Sequence, residues 1–293
     1  MQLSRVILLV GLACGAPSAG SAAALSAASS LSETAAAAPV TAGISALPLS
    51  PTVPARDASI QSFGPGTLHL LEAYPLSPLH WDGEDWLWAG GAGAAIAVTW
   101  NNDLPLYRAV ATGDARRAWL DHSMPAVSAL GDGLMEFGFT ALAAKLGGPR
   151  LAGTSAVAVQ ALCVVAVYSE VFKYAAWSNR PYQDDTQHRL WYFSQSTQGM
   201  PSGHTFSAFA VAEVYGADYG RWWTYPVACL IAYSRVYNQA HWPSDVVAGA
   251  ALGIAAGVQA RHQAHAEGEP SLRFSLGPSP SGQTPLMVAH VAF

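Results

Sequence analysis

The chain has 293 residues, 51% of them hydrophobic and only 11% charged, with a formal net charge of −5. That length buries a core of about 200 residues with ease, and the slightly acidic balance excludes the basic footprint of a nucleic-acid binder. With three cysteines, no paired Cys-x-x-Cys and no His-Glu-x-x-His run, the usual zinc frameworks are excluded and no metal is assigned.

The N-terminus opens with a basic MQLSR, continues through apolar VILLVGLACGA and ends in small residues, PSAGSAAA. These are the three parts of a secretory signal cleaved near residues 19 to 24, so 1–24 reads as a signal peptide. Acylation at Cys14 is the alternative, but Gly11 stands where lipoprotein sites favour leucine. Residues 25–62 are rich in Ala, Ser, Pro and Thr without periodicity and read as a flexible spacer. The domain proper is expected over 63–265, with apolar segments near 84–100, 124–146, 152–177, 202–219, 222–237 and 244–261 separated by Gly, Pro and polar loops. That pattern predicts an all-α fold. Cys163 and Cys229 fall inside such segments and read as buried free thiols. In the tail, 266–293, Leu272, Phe274 and Leu276 alternate before GPSPSG, and Met287, Ala289, Val291 and Phe293 alternate after it, which predicts a β-hairpin.

Three polar clusters interrupt the apolar sequence: KYAAWSNRP from Lys173, PSGH from Pro201 and SRVYNQAHWPSD from Ser234. Lys173, Arg180 and Arg235 would repel one another in a low-dielectric core unless a multiply charged anion sat among them. A phosphoryl group fits, with guanidinium forks gripping its oxygens and the ammonium adding a point charge. Pro201, Ser202 and Gly203 head an apolar segment and predict a helix start, where free N–H groups and the positive end of the helix dipole cradle anionic oxygens. Gly203 also allows the ligand close to the main chain. His241 and Asp245 are four residues apart, on one face of a helical turn. Asp245 then fixes one tautomer of the imidazole and leaves its other nitrogen as a nucleophile. His204, placed separately, serves as the acid that protonates a departing alkoxide and the base that activates water.

These residues follow three spacings: lysine, six residues, Arg-Pro at 173–181; Pro-Ser-Gly-His at 201–204; and Ser-Arg, five residues, histidine, three residues, aspartate at 234–245. In this the chain resembles the type 2 phosphatidic acid phosphatase (PAP2) superfamily, which includes acid phosphatases, lipid phosphatases and vanadium haloperoxidases, over roughly residues 80 to 262. The resemblance implies a six-helix bundle with His241 as the phosphorylated nucleophile, Asp245 as its orienting partner and His204 as acid/base. It also implies that Lys173, Arg180, Ser202, Gly203 and Arg235 bind phosphate. The expected activity is metal-independent hydrolysis of a phosphate monoester, either a phosphorylated lipid or a small soluble ester, without a cofactor and with vanadate as an inhibitor. A haloperoxidase using vanadate as cofactor is the alternative, disfavoured by chain length, and a non-catalytic envelope protein that binds phospholipid is a third reading.

Several placements are left to the structure. Six crossings after a cleaved signal would put the catalytic loops on the cytoplasmic side, so an exported enzyme of the periplasm or cell envelope is expected, with an integral membrane protein as the alternative. Glu136 and Glu213, inside apolar segments, point the same way, because a carboxylate at bilayer depth is costly. His69, His80, His122, His188, His262, His265 and His290 fit no ligand spacing, and Asp184 and Asp185 read as exposed loop carboxylates. Trp177, Tyr182, Trp191, Tyr192 and Phe193 are expected chiefly to pack in the core, with contact to a substrate chain as their other use.

Overall fold

The structure, a computed structural model, describes residues 65–193, 198–267, 271–278 and 285–292. The expected signal peptide and spacer lie outside these residues. Helices form at the expected apolar segments: α1 Pro65–Leu76, α2 Gly83–Asn101, α3 Asp103–Ala111, α4 Ala118–Leu130, α5 Gly133–Leu146, α6 Pro149–Ala176, α7 Gly203–Tyr219, α8 Arg221–Tyr237 and α9 Pro243–Glu267. α1 and α3 occupy stretches that carry no helical expectation. Beyond α9 the strands β1 Ser271–Pro278 and β2 Pro285–Ala292 run antiparallel, with Ser271 opposite Ala292.

One expected helix, 124–146, is two. The chain breaks at Gly131 and Asp132, where the Asp132 carboxylate accepts the Leu134 N–H at 3.0 Å and starts α5 afresh. A side chain at Gly131 would meet Ile231 Cγ2 at 2.4 Å and the His204 carbonyl at 3.1 Å, so glycine lets the end of α4 press against α7 and α8. Ser207 fixes this approach by donating its hydroxyl to the Gly131 carbonyl at 3.1 Å.

α7 and α9 form the centre. Ala208, Phe209 and Ala212 of α7 join a core with Tyr107, Tyr225, Ile231, Trp242, Val246 and Ile254, whereas Phe206, Ala210 and Val214 join another with Leu70, Tyr74, Val157, Ala256 and Ala260. A helix apolar on all sides is buried on all sides, as the sequence of α7 requires. Close contact with α9 depends on three glycines one turn apart. A Cβ at Gly249 would stand 2.6 Å from the Ser202 carbonyl, at Gly253 2.3 Å from the Phe206 carbonyl, and at Gly257 2.8 Å from Glu213 Cβ.

Two carboxylates inside the bundle differ: Glu136 on α5 is buried with its Oε2 lacking a hydrogen-bond partner, whereas Glu213 is paired. Glu213 accepts from Arg221 at 2.5 and 3.0 Å, Arg261 at 3.0 Å and Tyr225 at 2.6 Å. It is therefore not the uncompensated carboxylate that would argue against a membrane setting. Outward faces, by contrast, are apolar: Leu134, 85% exposed, with Phe139, Leu142 and Leu146 on α5, and Trp222, 82% exposed, with Val227 and Leu230 on α8. Among the described residues one helix, α6, is long and apolar enough to cross a membrane, and 61% of its apolar window is buried. Cys163 and Cys229 form no disulfide and are half-buried rather than enclosed. Tyr182, Trp191 and Phe193 are exposed on the loop after α6 and do not pack in the core.

Gly253→Ala is expected to destabilise the fold by about 1–3 kcal/mol through overpacking of α7 on α9, seen as a lowered thermal midpoint. Gly90→Ala is the control: its added Cβ meets nothing within 4 Å, and removing a mid-helix glycine stabilises by about 0.5–1 kcal/mol. Equal midpoints for the two variants would contradict the proposed role of the close approach.

Candidate active site

The three polar clusters converge at one end of the α7–α9 pair. The Ser202 N–H donates to the Asp245 carbonyl at 2.9 Å, which joins the head of α7 to the first turn of α9. Ser202 makes no side-chain cap for α7; its hydroxyl instead accepts from Thr205 Oγ1 at 3.1 Å. The first amides of the helix are thereby left for another acceptor, an arrangement suited to an anion.

His241 sits on the turn between α8 and α9, its backbone N–H donating to the Arg235 carbonyl at 3.3 Å. Its side chain is 2% exposed, and Nδ1 lies 3.3 Å from Asp245 Oδ2. The same carboxylate oxygen accepts the Trp242 N–H at 3.0 Å, which aims it at the ring. Burial drives the His241 pKa well below its ordinary value, and the charges of Arg180, Arg235 and Lys173 push the same way. The ring is therefore neutral at pH 7. With its Nδ1–H given to Asp245, Nε2 carries a free lone pair.

The cations reach the site by different routes. Lys173, in the last turn of α6, is tied to Glu170 at 2.5 Å and lies 3.7 Å from where a Gly203 side chain would begin. Arg180, on the following loop, donates Nε–H to the Gln198 carbonyl at 3.0 Å and its backbone N–H to Gln183 Oε1 at 2.7 Å. Arg235, in the last turn of α8, donates Nη1–H to Ser128 Oγ, while its buried Nε has no hydrogen-bond partner. Burial, then the charge of Arg180, lowers Arg235 to about 10. His204 is brought down to about 4 by burial, then by Arg235, with Arg180 and Lys173 adding to the effect and Asp132 opposing it. Basic groups that depress one another in this way would be relieved by a bound anion.

Asp245 has a second partner that sequence reasoning missed. His188 Nε2 lies 3.4 Å from Asp245 Oδ1, close enough for charge pairing though not aligned as a hydrogen bond. Its Nδ1 is 2.7 Å from Asp103 Oδ2, and Asp103 also accepts from the Ser244 N–H at 2.8 Å and hydroxyl at 2.6 Å. The ring is held between Trp100, 4.0 Å away, and Trp242, 5.4 Å away and nearly parallel. Burial pushes Asp245 up to about 7, opposed chiefly by His188 and the Trp242 N–H. No spacing rule links Asp103 on α3 to His188 on a loop; only folding brings them together. Gly199 completes the wall, since a Cβ there would stand 2.8 Å from the Asn179 carbonyl and 3.1 Å from Asp245 Oδ2.

All eight residues expected from sequence thus belong to one constellation, while Asp184 and Asp185 do not. Asp185 is exposed, and Asp184 shapes the loop through Thr186 at 2.5 Å and Arg189 at 3.1 Å. Among the described residues no group of three or more His, Cys, Asp or Glu side chains could hold a metal ion.

Residues 154–269 match the family model described as the PAP2 superfamily. A lipid A 1-phosphatase from Porphyromonas gingivalis is 46% identical over 68 residues, 21% of this chain and 15% of that protein. An undecaprenyl-diphosphatase from Sulfolobus acidocaldarius is 33% identical over 93 residues, 31% of this chain and 45% of that protein. The chain thus spans less than half the length of either curated relative. Among solved structures, Aquifex aeolicus LpxE aligns over 55% of this chain and 94% of its own, at 24% identity and a TM-score of 0.45. The transmembrane PAP2-type phosphatidylglycerolphosphate phosphatase from Bacillus subtilis aligns over 69% and 96%, at 16% identity and a TM-score of 0.41.

His188→Ala is expected to lower kcat about 10- to 100-fold with little change in KM, as for other partners that only orient a reacting group; an unchanged kcat would remove His188 from the network. Inorganic phosphate binding should raise the low pKa of His204, so that between pH 4 and 6.5 the wild type takes up more protons on binding than His204→Gln does. Calorimetry in buffers of different ionisation enthalpy measures the difference, and equal uptake would contradict the arrangement.

Proposed function

We propose, from the match of residues 154–269 to the PAP2 superfamily, that the chain is a phosphatase that hydrolyses a phosphorylated lipid through a phosphohistidine at His241, without a metal or other cofactor. The observation that carries this reading is the neutral, buried His241 paired to Asp245, surrounded by Arg180, Arg235 and Lys173 at the uncapped head of α7. The phosphoryl group occupies the cationic clamp and the α7 amides, which stabilise charge on its equatorial oxygens. His241 Nε2 attacks phosphorus in line. The N–P bond forms as the ester P–O bond breaks, and His204, protonated in the presence of the dianion, gives its proton to the leaving alkoxide. His204, now neutral, takes a proton from water as that water attacks phosphorus and releases His241 and inorganic phosphate. Asp245 holds the ring through both steps and stabilises the positive charge that develops on it.

A lipid substrate is favoured over a small soluble ester by the names of the curated relatives, both lipid phosphatases, and by the surface. Leu134, Phe139, Leu142 and Leu146 on α5 and Trp222, Val227 and Leu230 on α8 are exposed, and clustered exposed apolar side chains mark interaction surfaces. We take these faces to lie against the acyl layer of a membrane, in an exported protein.

His241→Ala is expected to lower turnover by more than about 1,000-fold with an unchanged far-UV spectrum; activity close to the parent's would refute the nucleophile. His204→Ala should slow alkyl phosphates by about 10²–10⁴-fold and p-nitrophenyl phosphate, with its good leaving group, far less. Vanadate should inhibit, and chelators should leave the rate unaltered. Bromide halogenation with vanadate and peroxide would move the assignment to a haloperoxidase.

A further inference from the structure

α2 stands away from the rest of the bundle, with no buried residue along its length. Between it and α9 lies a cavity of about 1150 Å³, which α1 and α6 help to enclose, at the upper end of the range for ligand sites. Trp88, Ala89, Ala92 and Ile96 line it from α2, and Ala251, Leu252, Ala255 and Val258 from α9. On both helices these positions recur every three or four residues, so each helix turns one continuous apolar stripe to the cavity. The two run antiparallel: the C-terminal end of α2 meets the catalytic end of α9, since Trp100 packs on His188, and Asp85 acts on His262 at the other end.

The two ends differ in chemistry. At one, the walls are Met200 and Pro201, directly before Ser202, together with Phe172 and Ala176, which flank Lys173 in the last turn of α6. At the other stand His69, Glu72, His80, Asp85 and His262. The apolar stretch from Trp88 to Ile96 rises about 12 Å along α2. A long narrow apolar groove that begins beside an anion clamp is the shape of an amphiphile. Resting on the phosphatase reading above, we propose that this groove holds the hydrocarbon tail of the phosphorylated lipid whose phosphate reacts at His241. The tail lies between α2 and α9, the ester oxygen sits at Met200–Pro201, and the small residues of both stripes leave the width a chain needs. Specificity for lipid over small esters then comes from α1 and α2, outside the segment matched by the family model.

Gly93 also borders the groove, and a side chain added there meets nothing within 4 Å, so Gly93→Leu fills the groove without straining the backbone; Ala92→Trp fills it further. The experiment measures kcat/KM for monomeric alkyl phosphates from butyl to dodecyl, each normalised to p-nitrophenyl phosphate in the same preparation, so that loss of folded enzyme cancels. In the wild type the ratio should rise with chain length, by at most about fourfold per methylene, and both variants should flatten that rise for the chains long enough to reach Ala92 and Gly93. A slope equally steep in both variants overturns the proposal and leaves the groove to another occupant, such as the chain preceding residue 65. Wild-type protein that hydrolyses none of the esters, p-nitrophenyl phosphate included, overturns the phosphatase reading instead. Phosphatidate and a polyprenyl phosphate, compared in the same detergent, identify the tail: a groove-variant loss on either supports the proposal and names acyl or isoprenoid chemistry.

Discussion

The backbone bond from the Ser202 N–H to the Asp245 carbonyl, 2.9 Å long, is the tie on which the site depends. It fixes the head of α7, with its free amides, against the turn that carries His241. It exists because α7 and α9 approach as closely as glycine permits. Gly249, Gly253 and Gly257 place the backbone of one helix against the backbone of the other, and any side chain at these positions would occupy space already filled by the Ser202 or Phe206 carbonyl or by Glu213. Packing at the centre of the bundle and chemistry at its end are thus one constraint.

Around that tie the electrostatics are arranged in opposition. Burial lowers the pKa of His241 and His204, and the charges of Arg180, Arg235 and Lys173 push the same way. Under the proposed reading a phosphate dianion would offset this repulsion and favour the proton that His204 needs as an acid. Behind His241 the carboxylate of Asp245 is held by the Trp242 amide and faced by His188, which Asp103 and two tryptophans fix in turn. This layered support fixes the orientation of the His241 ring.

Charged pairs lie inside the bundle while apolar side chains are exposed on two of its helices. Glu213 with Arg221 and Arg261, and Asp103 with His188, lie inside, whereas leucine, valine and tryptophan occupy the outer faces of α5 and α8. Pairing with Arg221 and Arg261 removes for Glu213, but not for the buried Glu136, the objection that a carboxylate raises against a lipid setting. An apolar outer surface and an apolar groove beside the catalytic end fit a substrate that arrives from a membrane.

The sequence by itself determined the helical class and the chemistry of the site, because apolar periodicity and the fixed spacing of residues on a helical turn are local properties. His241 with Asp245, and Pro201 through His204, are each set within one turn and were legible without coordinates. Their convergence with Lys173, Arg180 and Arg235 was legible only through charge, since cations that must share a core need a common anion. Tertiary structure alone decided the rest. The break at Gly131 reflects the crowding of α7 and α8 rather than any weakness in its own segment. His188 and Asp103 are separated by 85 positions and become partners only when α3 and the loop after α6 meet at α9. The groove between α2 and α9 has no signature in either helix, because small apolar residues read the same whether they face a neighbour or a space left for a ligand.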